Sequence, residues 1–168
     1  MCIHSWISRI AGAMLVVGML FGSVAASGAP SGSSPPDPVA IREAAEALAR
    51  YDRLLQLQDA AGLAGMFMPQ GRLGHVGEAP VVGRDRIEAF LVSLADYKVL
   101  SNEMTLLSSS SAGSQVSQAG TYVQEVRPPN SQALTVRGWF RFTWQRQPDG
   151  RWLIQDAKTS STPFPEDR

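Results

Sequence analysis

The chain has 168 residues, with 15 basic and 15 acidic side chains, one cysteine and two histidines. Because there is no basic excess to neutralise phosphates, the composition excludes a typical nucleic-acid-binding protein.

The N-terminal 26 residues are typical of a secretory signal. Arg9 is followed by an uncharged run over 10–26 that ends in small residues, with Val24 and Ala26 spaced as at a signal-peptidase site. We therefore predict a signal peptide over 1–26 and export to the periplasm or the medium. An uncleaved anchor is the alternative, although this run of 17 residues is shorter than the roughly 20 that span a bilayer.

Cleavage near Ala26 would change the available chemistry, because it removes Cys2, His4 and Arg9 and leaves 14 basic residues, 15 acidic residues and one histidine. A chain without thiols has no cysteine nucleophile, disulfide or iron–sulfur site, and one imidazole is too few for a typical zinc site. We predict no metal, no cofactor and no membrane association after cleavage.

The remaining chain begins with a Ser/Gly/Pro-rich linker, which we place at 27–36, and continues as one domain over 37–163 with a tail at 164–168. Asp37 as N-cap and Pro38 as the first helical residue predict the start of a long helix. Its apolar face carries Ala44, Leu48, Tyr51 and Leu55. Asp52 lies in the same arc, either as a buried acid or as the partner of an arginine.

A second short helix is predicted to begin at Asp59 and to stop at Pro69, and a strand over 71–76 follows it. Leu73 and His75 lie on one face of that strand and Arg72 on the other. A third helix over 83–94 has apolar residues at helical spacing, namely Ile87, Phe90, Leu91 and Leu94.

After Tyr97 the apolar period changes from 3.6 to 2, which indicates strands. Leu100, Met104 and Leu106 alternate along a first strand that the serine run at 108–111 is expected to break. Later strands are predicted from 116 to 126, from 134 onward and after the turn at 147–150. One face of the 134 strand carries Leu134, Val136, Gly138, Phe140, Phe142 and Trp144. Helices followed by an antiparallel meander indicate an α+β fold.

Trp139 lies alone on the polar face of that strand. An outward aromatic among Arg and Thr side chains predicts a homodimer contact through the outer face of the sheet. The alternative is a guanidinium, from Arg137 or Arg141, stacked over an exposed indole.

Several of these segments, in this order, resemble the nuclear transport factor 2-like (NTF2-like) superfamily, in its SnoaL-like and ketosteroid-isomerase-like branch. They are the long first helix, the second helix "QDAAGLAGMF", the first strand, the helix opening "VVGRDRIEAFL" and the hairpin "PDGRWLI". The resemblance implies a cone, in which three N-terminal helices pack on a strongly bent antiparallel sheet and a pocket opens at one end.

The resemblance also suggests a site. Ketosteroid isomerases use a Tyr on the first helix, a proton-moving Asp at the end of the first strand and a second Asp on a late strand. Tyr51 matches the first position and His75 the second, while the third falls near Phe140, which has no carboxyl. An imidazole titrates near pH 6.5 and is able to transfer a proton at neutral pH.

We therefore expect the chain to bind a small, mostly apolar molecule in its cone. The alternatives are a cofactor-free acid/base enzyme of the isomerase, dehydratase or cyclase type, with His75 and Tyr51 as catalytic groups, and a dimerisation or partner-binding module. The predicted pocket consists of Leu48, Tyr51, Asp52, Leu55, Leu73, His75, Phe90, Met104, Phe140, Phe142 and Trp144.

Overall fold

The computed structural model describes residues 36–161. Its elements are α1 (Pro38–Gln56), α2 (Ala60–Gly65), β1 (Phe67–His75), β2 (Val81–Val82), α3 (Arg84–Ser93), β3 (Lys98–Ala112), β4 (Gln115–Arg127), β5 (Leu134–Arg146) and β6 (Trp152–Ser160). The predicted signal peptide, tail and nearly all of the linker lie outside the described residues. Within 36–161, no helix combines the length and the apolar character needed to cross a membrane.

Helix α1 begins as the sequence predicts. The Asp37 carboxylate accepts hydrogen bonds from the backbone N–H groups of Val39 and Ala40 at 2.9 and 3.3 Å, and Pro38 occupies the first turn. The buried residues recur every three or four positions, at Ala40, Ala44, Leu48 and Tyr51. This face packs against the sheet.

Helix α2 is shorter than predicted. Asp59 caps it through the Gly62 N–H at 2.8 Å, but the helix ends at Gly65, and the segment up to Pro69 belongs to β1. The reason is tertiary pairing, because the Ile154 N–H donates to the Met66 carbonyl at 2.7 Å and Phe67 lies in register with Ile154. The apolar residues that suggested a longer helix therefore begin a buried strand.

The Gly-Arg-Asp sequence before α3 has a structural role. Gly83 adopts a φ of 95°, which favours glycine, and its N–H donates to the Gly71 carbonyl at 2.8 Å. Two nitrogens of the Arg84 guanidinium donate to the Phe67 carbonyl, at 3.0 and 2.5 Å. The motif thus fixes the start of α3 against the irregular first half of β1.

The six strands form one sheet in the order β2-β1-β6-β5-β4-β3. Every neighbouring pair is antiparallel except β1 and β6, which are parallel. The prediction of a wholly antiparallel sheet was therefore wrong, and the fold is α+β with a mixed sheet. In addition, α3 follows β1 and β2 in the chain, so only two of the three helices precede the first strand.

The serine run does not break β3. Strand β3 continues through Ser108–Ser111 to Ala112, and the turn follows at Gly113, whose φ is 58°. The interruption that the sequence suggested is a bulge at Leu107, which shifts the register between Leu106 and Ser108. Because the bulge inverts the alternation, Ser109 faces the same side as Leu106.

The strand register identifies the side chains on the inner face of the sheet, which meets α1, because directly paired residues share a face. Phe140, Phe142 and Trp144 of β5 pair with Gly120, Gln118 and Val116 of β4. On the β6 side of β5, Phe140 pairs with Thr159, which in turn pairs with His75 of β1. In the next row, Phe142 pairs with Ala157, which pairs with Leu73. Leu73 and His75 therefore share the inner face, as predicted.

Trp139 is not exposed. Its side chain is 7 % accessible, and the Arg141 guanidinium carbon lies 5.6 Å from the ring centroid. Trp139 therefore lies on the outer face of the sheet, as predicted, but it is not exposed there. The Arg141 guanidinium lies over the ring, as in the stacking alternative, although that alternative assumed an exposed indole. The homodimer contact stays a prediction without the exposed aromatic that motivated it.

Candidate functional site

An aromatic wall forms the centre of the inner face. The ring centroids of Phe140 and Phe142 are 5.4 Å apart and those of Phe142 and Trp144 are 5.9 Å apart, both in edge-to-face contact. All three side chains are buried. Tyr51 of α1 adds a fourth ring, whose centroid lies 5.0 Å from that of Phe142.

The two ends of this interior differ in how well they are covered. At the closed end, which we define by Ala40, Ala44, Val116, Trp144 and Trp152, every side chain is buried. The open end consists of side chains that are only partly buried, namely Leu55, His75, Phe90, Met104 and Tyr122. The aromatic wall is therefore covered more completely at the closed end than at the open end.

Tyr51 lies between the two ends. The residue is 6 % exposed, and burial raises the pKa of its hydroxyl to about 12. The hydroxyl makes no hydrogen bond to another described residue, and it is not among the solvent-shielded side-chain atoms that lack a partner. The phenol is a protonated donor at neutral pH in a mostly apolar setting.

His75 is held by a neighbour on β6. Its Nδ1 lies 3.2 Å from the Thr159 hydroxyl oxygen, and that hydroxyl donates to the Gly74 carbonyl at 3.4 Å. In the tautomer that carries its proton on Nδ1, the imidazole donates to the Thr159 oxygen and its lone pair lies on Nε2. Burial lowers the pKa of His75, and the Glu78 carboxylate partly offsets this. The ring is therefore mainly a neutral base at pH 7.

Asp52 has an amide partner. Its carboxylate accepts a 2.5 Å hydrogen bond from the Asn102 side-chain N–H of β3, and the Asn102 backbone carbonyl accepts from the Gln56 amide at 3.0 Å. Of the two alternatives left open for Asp52, the arginine partner is not found among the described residues, and the Asn102 amide takes its place. Asn102 is buried and attaches the C-terminal part of α1 to β3 at the open end.

The other predicted pocket residues all contact the same core. Leu48 and Leu73 are buried, whereas Leu55, Phe90 and Met104 are partly buried and pack against that core. The structure thus brings the predicted set to one interior, although its role as a binding site stays a prediction.

Four polar residues of this interior were missed from the sequence: Asn102, Gln118, Tyr122 and Thr159. Tyr122 pairs with Met104, and burial raises the pKa of its hydroxyl. Gln118 and Tyr122 share the parity of Val116 along β4, so the alternation from 116 to 126 was the signal that would have placed them inside.

Metal-binding side chains and surface grooves among the described residues also bear on the site. In the described part of the chain, no three His, Cys, Asp or Glu side chains lie close enough to share a metal ion. A shallow groove of about 390 Å³ lies mainly on the opposite face of β3, β4 and β5, where Ser108, Ser117, Arg141 and Thr143 line it. The absence of a cofactor therefore stays a prediction.

Solved structures of other proteins share this fold. Solved structures with the same fold include a ketosteroid isomerase-like protein from Erwinia carotovora atroseptica, with a TM-score of 0.68, 12 % identity, and coverage of 74 % of this chain and 97 % of that one. A protein from Catenulispora acidiphila in complex with S-DNPA has a TM-score of 0.63 and 18 % identity. The match covers 74 % of this chain and 94 % of that one. An NTF2-like protein with a cystatin-like fold from Novosphingobium aromaticivorans has a TM-score of 0.56 and 23 % identity. The match covers 71 % of this chain and 79 % of that one.

No curated protein sequence matches the chain. The family profile described as "SnoaL-like domain" matches residues 39–158, which include every described element from α1 to most of β6. The chain therefore belongs to the SnoaL-like domain family.

Proposed function

We propose that this domain binds a small, mostly apolar molecule between the inner face of the sheet and α1, with entry from the open end. The observation that carries the proposal is the Tyr51 hydroxyl, a protonated donor at neutral pH on a ring that packs edge-to-face against the buried Phe142. Apolar walls with a few placed polar groups are typical of small-molecule sites. The bulges in β3 and β6 support a bend of the sheet into the predicted cone.

Binding can be tested on the full chain with a steroid, a terpenoid, an aromatic ketone and a fatty acid, by thermal shift and tryptophan fluorescence. Met104→Trp should weaken binding at least tenfold, because the larger ring fills the open end. Leu107→Trp is the matched control, since residue 107 lies on the same strand but is 58 % exposed at the bulge.

Two results would contradict the proposal. One is that no compound of the four classes raises the melting temperature. The other is that Met104→Trp, shown to be folded by circular dichroism, binds as well as Leu107→Trp.

A second candidate function is acid/base catalysis, and the Thr159 contact to His75 favours it. In this scheme His75 Nε2 accepts a substrate proton, while the Tyr51 hydroxyl donates to the oxygen on which negative charge develops. The directions of both pKa shifts are suitable, because they give a neutral base and a protonated donor at pH 7.

For any substrate that is identified, His75→Gln should abolish turnover and Tyr51→Phe should lower kcat by about 10²- to 10³-fold. Thr159→Val should lower kcat less and change the pH profile, because it removes the group that orients the imidazole. An unchanged rate in His75→Gln would end this proposal while leaving ligand binding intact.

Export is also part of the proposal, and the sequence over 1–26 supports it. The N-terminal sequence of protein recovered from the periplasm or medium should begin near Ser27, and a product that keeps Met1 would contradict cleavage.

A further inference from the structure

Gln118 is a polar side chain in the most buried part of the aromatic wall. The residue is 2 % exposed, and the Trp144 indole N–H donates to its Oε1 at 2.8 Å. Because an indole nitrogen only donates, the amide oxygen must face Trp144 and the amide nitrogen must face away from it. Among the described residues, the amide nitrogen has no hydrogen-bond partner.

Ser109 provides a second such group next to it. Ser109 and Gln118 lie directly opposite each other on β3 and β4, so their Cβ atoms are about 4.5–5.5 Å apart on the inner face. The Ser109 hydroxyl oxygen is shielded from solvent and also has no partner in the described part of the chain. Two polar groups able to donate are therefore adjacent in one buried patch.

This patch borders the space proposed for the ligand. Phe142 pairs with Gln118 across β4 and β5, and the edge of the Tyr51 ring contacts Phe142. Gln118 and Tyr51 thus lie next to the same aromatic ring, and Ser109 lies one strand further along the same row. The Gln118 amide nitrogen and the Ser109 hydroxyl are shielded from solvent and lack a partner among the described residues. Leaving such groups unsatisfied destabilises the fold more than apolar side chains would.

We propose that Gln118 and Ser109 form a polar anchor that donates hydrogen bonds to an acceptor oxygen of the bound molecule. This inference rests on the proposed function and narrows its ligand class to mostly apolar molecules that carry a carbonyl or similar oxygen. An amide N–H only donates, so the anchor discriminates against ammonium groups and against plain hydrocarbons.

The test compares two probes of nearly equal shape, 2-tetralone and tetralin, binding to the full chain. The parent protein should bind the ketone about tenfold more tightly than the hydrocarbon, as expected for a buried hydrogen bond. Gln118→Met should abolish that preference and leave tetralin affinity unchanged, because the thioether preserves length and remains a weak acceptor for Trp144. The carbonyl stretch of bound 2-tetralone should lie at lower wavenumber in the parent than in Gln118→Met.

Gln124→Met is the matched control, since it makes the same substitution on the same strand and face, six residues away. It should keep the ketone preference. Ser109→Ala is a smaller change that should reduce the preference about threefold, and it tests the anchor even if Gln118→Met fails to fold.

Equal affinity of the parent for the two probes, or a ketone preference that survives Gln118→Met, would overturn the anchor and leave apolar binding in place. If neither probe binds the parent, the proposed function is contradicted, and the anchor is rejected with it.

Discussion

The closed and open ends of the interior are built from the same strands and the same helix, yet they are covered differently. At the closed end, the Trp152 indole donates to the Glu43 carboxylate of α1 at 3.0 Å, and Arg146 lies 3.4 Å from the same carboxylate. At the open end, α1 is attached through the pair Asp52 and Asn102, and apolar neighbours such as Met104 stay partly exposed. The difference shows that α1 is held more completely at the closed end than at the open end, where the proposed ligand would enter.

The largest expected effect is at the closed end. Trp144→Ala should lower the free energy of unfolding by about 3–5 kcal/mol, because it leaves a cavity where the side chain is fully buried. Met104→Ala at the open end should cost less than half as much, since that side chain is partly exposed. Urea unfolding of both variants measures the contrast, and equal losses would mean that the two ends are covered equally well.

The hydrogen bond between α1 and the β5–β6 hairpin should have the next largest effect. Trp152→Phe keeps an aromatic ring but removes the donor to Glu43, so the free energy of unfolding should fall by about 1–2 kcal/mol. Glu43→Gln keeps an acceptor and removes the charge, and it should cost less. A Trp152→Phe variant as stable as the parent would show that the contact contributes little.

Tyr51→Phe should barely change stability, by within about 0.5 kcal/mol, because the hydroxyl has no partner among the described residues to lose. The same variant should weaken binding of a carbonyl ligand about tenfold if the hydroxyl donates to it. Thermal melts and titration calorimetry separate the two effects. A stability loss above about 1.5 kcal/mol would show that the hydroxyl is bonded within the protein.

The smallest expected effect is a pH dependence from the open end. Since burial lowers the folded-state pKa of His75 below 6.5, the unfolded chain binds more protons between those two pKa values. The free energy of unfolding should therefore fall as pH decreases from 6.5 toward the folded-state pKa. In urea titrations between pH 7.5 and about 5, His75→Gln should reduce the dependence of the free energy of unfolding on pH. An unchanged dependence would show that other groups cause it.

Local signals in the sequence were sufficient for several elements. The Asp37 cap and the apolar spacing placed α1, and the alternation from Leu134 to Trp144 placed β5 with its aromatic face inward. Leu73 and His75 were placed on the same inner face by strand parity. These predictions succeeded because each depended on a single segment with an uninterrupted period.

The errors arose where a distant segment determined the local structure. The residues before Pro69 resemble a helix, but pairing with Ile154 on β6 draws them into a strand. The serine run reads as a loop, but β4 pairs with it throughout, and the bulge at Leu107 conceals its alternation. Asn102 and Gln118 were missed because an amide side chain is not by itself a sign of burial, although they share the parity of Met104 and Val116 on their strands.

By itself, the sequence determined the α+β class, the order and type of most elements, the inward aromatic row and the candidates Tyr51 and His75. Only the tertiary structure decided the parallel pairing of β1 with β6, the burial of Trp139 and the attachment of Asp52 to Asn102. It also left Gln118 and Ser109 as buried polar groups without described partners. The physical reason is that periodicity records which side of one element is apolar, whereas register and hydrogen-bond partners depend on contacts between segments far apart in the chain.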